Sequence, residues 1–270
     1  MHIRSMVYVV AFTLAALTCQ GTAVAADADQ VQQQAALHAL AGHDIPAAGT
    51  VQSITLAPWK HGPASDGPLW VVAALILPPG DESVPQLWTG VLRRDGDGFQ
   101  LLAGDRSERI DSALTLSTLL GAGLQLDLIP YRINAHETAF GVRFSNSFNS
   151  TGDRVSREQI SLYRYAVQTL TPIFTALTDD SGYDKYSAGQ CAQRAAGAGK
   201  EPSDGEQSEC DDKNSNEDHY VIAFGTHTSQ GYYDLLVRKS GVPASAKAKA
   251  GLRFSWNGKT YEPRHFDGGL

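Results

Sequence analysis

From Val51 to Pro263, β-prone apolar runs follow one another at short intervals, and most are closed by turn residues. Such a chain has little choice but to build antiparallel hairpins. Val51–Ala57 and Leu69–Leu77 are apolar and β-prone. Leu87–Arg94 leads through Asp95-Gly96-Asp97-Gly98 into Phe99–Ala103, a hairpin with favoured turn chemistry. Leu124–Ile133 and Thr138–Phe144 pair around Asn134-Ala135-His136, and Gln159–Ala166 pairs with Leu170–Ala176. His219–Thr226 returns through Ser229-Gln230-Gly231 into Tyr232–Lys239, and Leu252–Trp256 turns at Asn257-Gly258 into Thr260–Pro263. Leu114–Leu120 reads as either strand or helix. Gln30–Leu40 is a short helix of good helix formers, stopped by Gly42. The expected fold is therefore mainly β, antiparallel and hairpin-rich, with a short N-terminal helix.

A loose repetition leaves the architecture open. LWVVAALIL precedes the hairpin VLRRDGDGFQLLA, TAFGVRF precedes LYRYAVQTLTPIF, and YYDLLVRKS precedes LRFSWNGKTYEP. Strand-plus-hairpin units of this kind are propeller-like, or they form the sheets of a sandwich. Any antiparallel β protein also shows hairpins without true repetition.

The N-terminus reads as an export signal. Basic Arg4 is followed by an apolar run from Met6 to Leu17, and Ala23-Val24-Ala25 forms an A-x-A site. The run is too short to span a bilayer of roughly 30 Å. Cleavage is expected after Ala25, leaving 26–270 as one β-rich domain in the periplasm or outside the cell. Lipidation at Cys19 is disfavoured, because Ala16-Leu17-Thr18 fits a lipobox poorly. Cys191 and Cys210 then remain, an even count in an oxidising compartment, and are expected to be bonded.

Charge concentrates around that pair. Four basic and eleven acidic residues between Asp179 and Asp218 carry −7, the formal charge of the whole chain. This argues against nucleic acid as a partner. The segment 181–216 is rich in Ala, Gly, Ser, Gln and acids, and reads as a long acidic loop clipped by the disulfide.

No catalytic signature is present: there is no G-x-S-x-G, H-E-x-x-H, Walker loop or G-x-G-x-x-G. The chain reads as a binder more than as an enzyme, with no catalytic residue assigned. His219, His227 and His265 are the histidines that acids could join in a hidden site. Asp212, Asn214, Asn216 and Asp218 alternate as oxygen ligands of a Ca²⁺ loop do. Glu217 stands where such a loop needs Gly and Ala223 where it needs Glu, so Ca²⁺ is not favoured and no other cofactor is expected.

Ser181-Gly182-Tyr183-Asp184-Lys185-Tyr186 resembles the Ser-Gly…Lys/Arg-Tyr loop of the periplasmic lysozyme inhibitors of Gram-negative bacteria. The match covers six residues, at shorter spacing than the family's motif. It implies that Ser181 and Lys185 meet the carboxylates of a lysozyme cleft, with Tyr186 as the packing residue. Gly231–Leu236 and Phe254–Tyr261 resemble exported proteobacterial proteins, some similar to immunity proteins against peptidoglycan-cleaving effectors. The partner surface expected is Ser181, Gly182, Tyr183, Lys185 and Tyr186 with Asp211 and Glu217. The partner is a basic protein of the peptidoglycan-hydrolase type, steered by the acidic segment. An envelope carbohydrate-binding protein or hydrolase is the alternative.

Overall fold

The computed structural model describes residues 20–42, 49–79, 84–110, 123–149, 153–241 and 251–269. Leu114–Leu120, Cys19 and the apolar run to Leu17 lie outside them. Helix α1 spans Gln20–Ala41 and strands β1 to β4 span Thr50–Trp59, Leu69–Leu77, Gln86–Asp95 and Gly98–Arg109. Strands β5 to β8 span Gly123–Arg132, Thr138–Asn149, Asp153–Ala166 and Thr169–Asp184. Helices α2 and α3 follow at Lys185–Ala196 and Asp204–Lys213. Strands β9 to β13 are Ser215–Ser229, Tyr232–Lys239, Leu252–Trp256, Tyr261–Glu262 and His265–Phe266.

The strands β1 to β4 form an antiparallel meander, and β5 to β12 form a second one in chain order, with β13 parallel to β8. Each strand-plus-hairpin unit seen in the sequence is a three-stranded stretch of one of these sheets. The units are joined within a sheet, not splayed as blades. The first sheet packs face to face on β6 to β8. Trp59, Val71, Leu75, Leu87 and Val91 meet Phe140, Phe144, Tyr163 and Tyr165 there, and Trp59 sets its edge 5.0 Å from the Phe140 ring. This is the sandwich alternative.

The second sheet then curls over its own outer face. Ile160, Leu162, Phe174 and Ala176 pack against Leu235, Val237, Phe254, Trp256 and Tyr261. The curl reaches the far edge, where the Tyr233 amide donates to the Ile133 carbonyl at 2.9 Å and the Tyr232 hydroxyl to Glu137 at 3.1 Å. Trp256, Tyr261 and Tyr232 are thus core and near-core aromatics of this second layer.

Helix α1 covers the outer face of the first sheet. Ala36, Leu37, Leu40 and Ala41 pack on Val72, Ala74, Ile76 and Leu92. Gly90 makes this approach feasible, since a Cβ there would lie 2.8 Å from Leu40 Cδ1. Gly42, at φ +60°, ends the helix and returns its amide to His38. Arg106 closes the same end by donating to the Leu40 carbonyl at 2.8 Å, with its guanidinium over Trp88. The helix is longer than Gln30–Leu40, and the Ala25–Ala26 bond falls inside it.

The interior between the sheets is polar at one end. Glu108, 3% exposed, pairs with Arg264 and accepts from Thr175 Oγ1 at 2.9 Å. Thr175 Oγ1 in turn lies 3.3 Å from Ser161 Oγ. Burial, then the Glu108 charge, push the enclosed Tyr163 hydroxyl well above its ordinary pKa.

Candidate functional site

Between β8 and β9 the chain leaves the sandwich and returns. Five register pairs, from Asp179↔His219 to Tyr183↔Ser215, form the base of this excursion. At its start the Asp184 carboxylate accepts from the Ser187 amide at 2.9 Å and from its hydroxyl at 2.6 Å. That caps α2, and these bonds hold the Asp184 carboxyl below its ordinary range. Gly197, at φ +84°, ends the helix.

Ser203 then opens α3 with a capping box. Its hydroxyl accepts from the Glu206 amide, and Glu206 Oε2 accepts from the Ser203 amide at 2.8 Å. The disulfide Cys191–Cys210, with Cα atoms 5.6 Å apart, ties the two helices. Tyr183 docks α3 onto β8 by donating to Asp211 at 2.9 Å, and Gln207 donates to the same oxygen at 2.7 Å. The segment is clipped as the cysteines indicated, but it folds as two helices where the composition indicated mostly loop. The S-x-x-E signal of Ser203–Glu206 is the sequence feature that marks α3.

The expected partner residues separate into two groups. Ser181, Gly182 and Tyr183 lie in the β8 ladder, where Ser181 faces Glu217 and its hydroxyl donates to Asp179 at 3.4 Å. Lys185 and Tyr186 project from the first turn of α2, with Tyr186 73% exposed. Asp211 is held by Tyr183 and Gln207, while Glu217 is exposed and bonded to His219. Many acids of the segment serve the local structure. Asp184 and Glu206 cap helices, Asp180 pairs with Arg157, Asp218 with Lys239 and Glu209 with Lys213. Glu201, Asp204 and Asp212 are exposed.

The alternating oxygen set is divided in the same way. Asp212 sits on α3 and Asn214 caps it, donating to the Cys210 carbonyl at 2.8 Å. Asn216 donates to the Asp180 carbonyl and Asp218 turns to Lys239. Only Asn214 and Asn216 of the four line a common groove, of about 390 Å³. Among the described residues no group of three or more His, Cys, Asp or Glu side chains is arranged to hold a metal ion.

The histidines have separate partners. His227 Nδ1 lies 2.7 Å from Asp234 Oδ2, and Asp234, 1% exposed, also accepts from Ser229 at 2.7 Å. Ser229 thus donates to the acid, so these three do not form a serine–histidine–acid relay. His265 lies in β13. His219 closes the base of the excursion, with Nδ1 2.5 Å from Asp179 and Nε2 3.2 Å from Glu217.

This base is crowded with charge, since Asp180 and Asp218 are cross-strand neighbours, compensated by Arg157 and Lys239. The hydrogen bond with Glu217, joined by the Asp179 charge, raises the His219 pKa. A raised histidine stabilises the fold fully below its unfolded value of about 6.5 and loses that contribution as pH rises through the folded value. The melting-temperature gap between wild type and His219→Gln is therefore expected to be largest at pH 5 and to shrink towards pH 8. A gap that is flat with pH excludes His219 as the titrating clamp.

A second groove, of about 850 Å³, lies along α2 and is lined by Lys185, Tyr186, Gly189, Gln190, Gln193 and Arg194, with Pro202 and Gln207 across it. Tyr186, Gln190 and Gln193 recur at helical spacing and face away from buried Ala188 and Ala192, with Lys185 and Arg194 flanking them on the two sides. Neither Lys185 nor Arg194 has an ion-pair partner among the described residues. The acidic excursion therefore carries two unpaired cations along this groove, which its net charge concealed.

No model of a known protein family matches the chain, and no curated protein matches it.

Proposed function

We propose that the protein is an exported binding protein of the bacterial envelope, whose disulfide-tied helical hairpin docks a basic protein partner of the peptidoglycan-hydrolase type. The observation that carries this reading is the excursion itself. Two short helices stand off the sandwich and are fastened covalently, and the excursion with its strand base exposes Glu201, Asp204, Asp212 and Glu217 beside the projecting Lys185 and Tyr186. A long, ordered excursion that contributes little to the core is where binding function concentrates on a rigid scaffold. The disulfide fits an oxidising compartment, and no helix among the described residues is long and apolar enough to cross a membrane. Leader removal after Ala25 belongs to the same proposal.

Surface plasmon resonance against a purified muramidase tests it. Binding is expected, with association slowing as salt rises beyond about 0.1 M, where the Debye length is about 10 Å. Neutralising Glu201, Asp204, Asp212 and Glu217 together is expected to slow association about tenfold or more. Lys185→Ala and Tyr186→Ala are expected to speed dissociation. If no cell-wall hydrolase is bound, the reading fails.

A further inference from the structure

The groove along α2 differs in chemistry from the acidic surface around it. Its two ends carry cations that no carboxylate of the described chain neutralises, Lys185 in the first turn of α2 and Arg194 in its last turn, both lining the groove. Between them stand the carboxamides of Gln190 and Gln193, both exposed and without a side-chain hydrogen bond among the described residues. Gln207 faces them with its amide nitrogen committed to Asp211. Tyr186 offers an exposed ring at one end. Gly189 lies in the middle of the lining, and a Cβ there would meet nothing within 4 Å. Glycine inside a helix costs about 1 kcal/mol relative to alanine, and here no packing requires it. An open strip of backbone at the centre of a groove is instead what close approach of a ligand requires.

We infer that this groove binds a carboxylate-bearing oligosaccharide. Carboxamides both donate and accept, as adjacent sugar hydroxyls do. An exposed tyrosine provides an apolar face and a polar tip for a pyranose ring. Unpaired ammonium and guanidinium groups select carboxylates, and the guanidinium does so in bidentate geometry. A volume of about 850 Å³ is in the range of small-ligand clefts, roughly 300–1,000 Å³. A neutral glycan would leave both cations unused. Lys185 and Tyr186 at one end are shared with the surface proposed to meet the protein partner, whereas Gln190, Gln193 and Arg194 belong to the groove alone. The inference rests on the groove alone and stands whether or not a protein partner is found.

Isothermal titration calorimetry with tetragalacturonate, and with uncharged chitotetraose as control, tests it in the absence of any protein partner. Tetragalacturonate is expected to bind and to weaken as salt rises, with chitotetraose at least about tenfold weaker. Arg194→Gln and Lys185→Gln are each expected to weaken binding about tenfold, in line with loss of one charge-assisted hydrogen bond. Gly189→Leu fills the groove without changing charge and replaces glycine with a strong helix former, so loss of binding in this variant cannot come from a melted helix. No binding of tetragalacturonate, equal binding of chitotetraose, or affinity unchanged in Gly189→Leu would each overturn the assignment.

Discussion

Replacing Arg264 with alanine is expected to destabilise the protein by about 3–5 kcal/mol, because it leaves the Glu108 carboxylate buried without its cation. The two residues are 156 positions apart in the chain, in β4 and in the turn before β13. Thr175 alone would then face the carboxylate, in an interior where Ser161 and Tyr163 already add polar atoms. Removing both charges together, in Glu108→Gln/Arg264→Met, is expected to recover most of that loss, because no charge is left uncompensated. Urea unfolding of the wild type and the two variants measures the pair. A loss below about 1 kcal/mol for Arg264→Ala would mean that water reaches Glu108 freely.

The second large effect is expected at the disulfide. With Cys191 and Cys210 separated by 19 positions in sequence, removal of the bond in Cys191→Ser/Cys210→Ser is expected to cost about 3 kcal/mol by the chain-entropy account. The loss should be local. Helices of 12 and 10 residues are marginal by themselves. Moreover, α2 buries only Ala188 and Ala192, and α3 only Cys210. Hydrogen exchange across 185–213 is therefore expected to accelerate in the variant while β6 to β8 keep their protection. Thiol titration of unfolded, unreduced wild type should find neither thiol free. Unchanged exchange across 185–213 would show that the caps and the Tyr183–Asp211 contact hold the excursion without the bond.

The strands were legible because their signals are local. LWVVAALIL is almost uniformly apolar, and as β2 it is buried on both faces, between α1 and the second sheet. Asp95–Gly98 and Asn257-Gly258 carried their own turn chemistry. The turn at Val167-Gln168, with both residues at positive φ and neither of them Gly or Asn, was found only through the strands on either side. The helices α2 and α3 were missed because composition outweighed position. Glycine, serine and acids suggested solvated loop, whereas Asp184 and Ser203 place those same residue types at helix starts, where caps are needed.

The charge count misled in a similar way. It sums over residues regardless of direction, so it could not distinguish acids spent on caps and ion pairs from acids left on the surface. Nor could it find two unpaired cations lining one groove. Lys185 and Arg194 come to line one groove only once α2 forms and lies beside Pro202 and Gln207.

The sequence by itself determined the class of fold, the hairpins, the short N-terminal helix and the pairing of its last two cysteines. All of these depend on periodicity, turn residues or a simple count. Tertiary structure decided that the sheets stack as a sandwich, that the second sheet curls over its own outer face, and that Glu108 finds Arg264. It also decided which charges of the excursion face outward. Those outcomes depend on contacts between residues distant in the chain, and no local pattern encodes such contacts when each strand is apolar enough to pack on more than one neighbour.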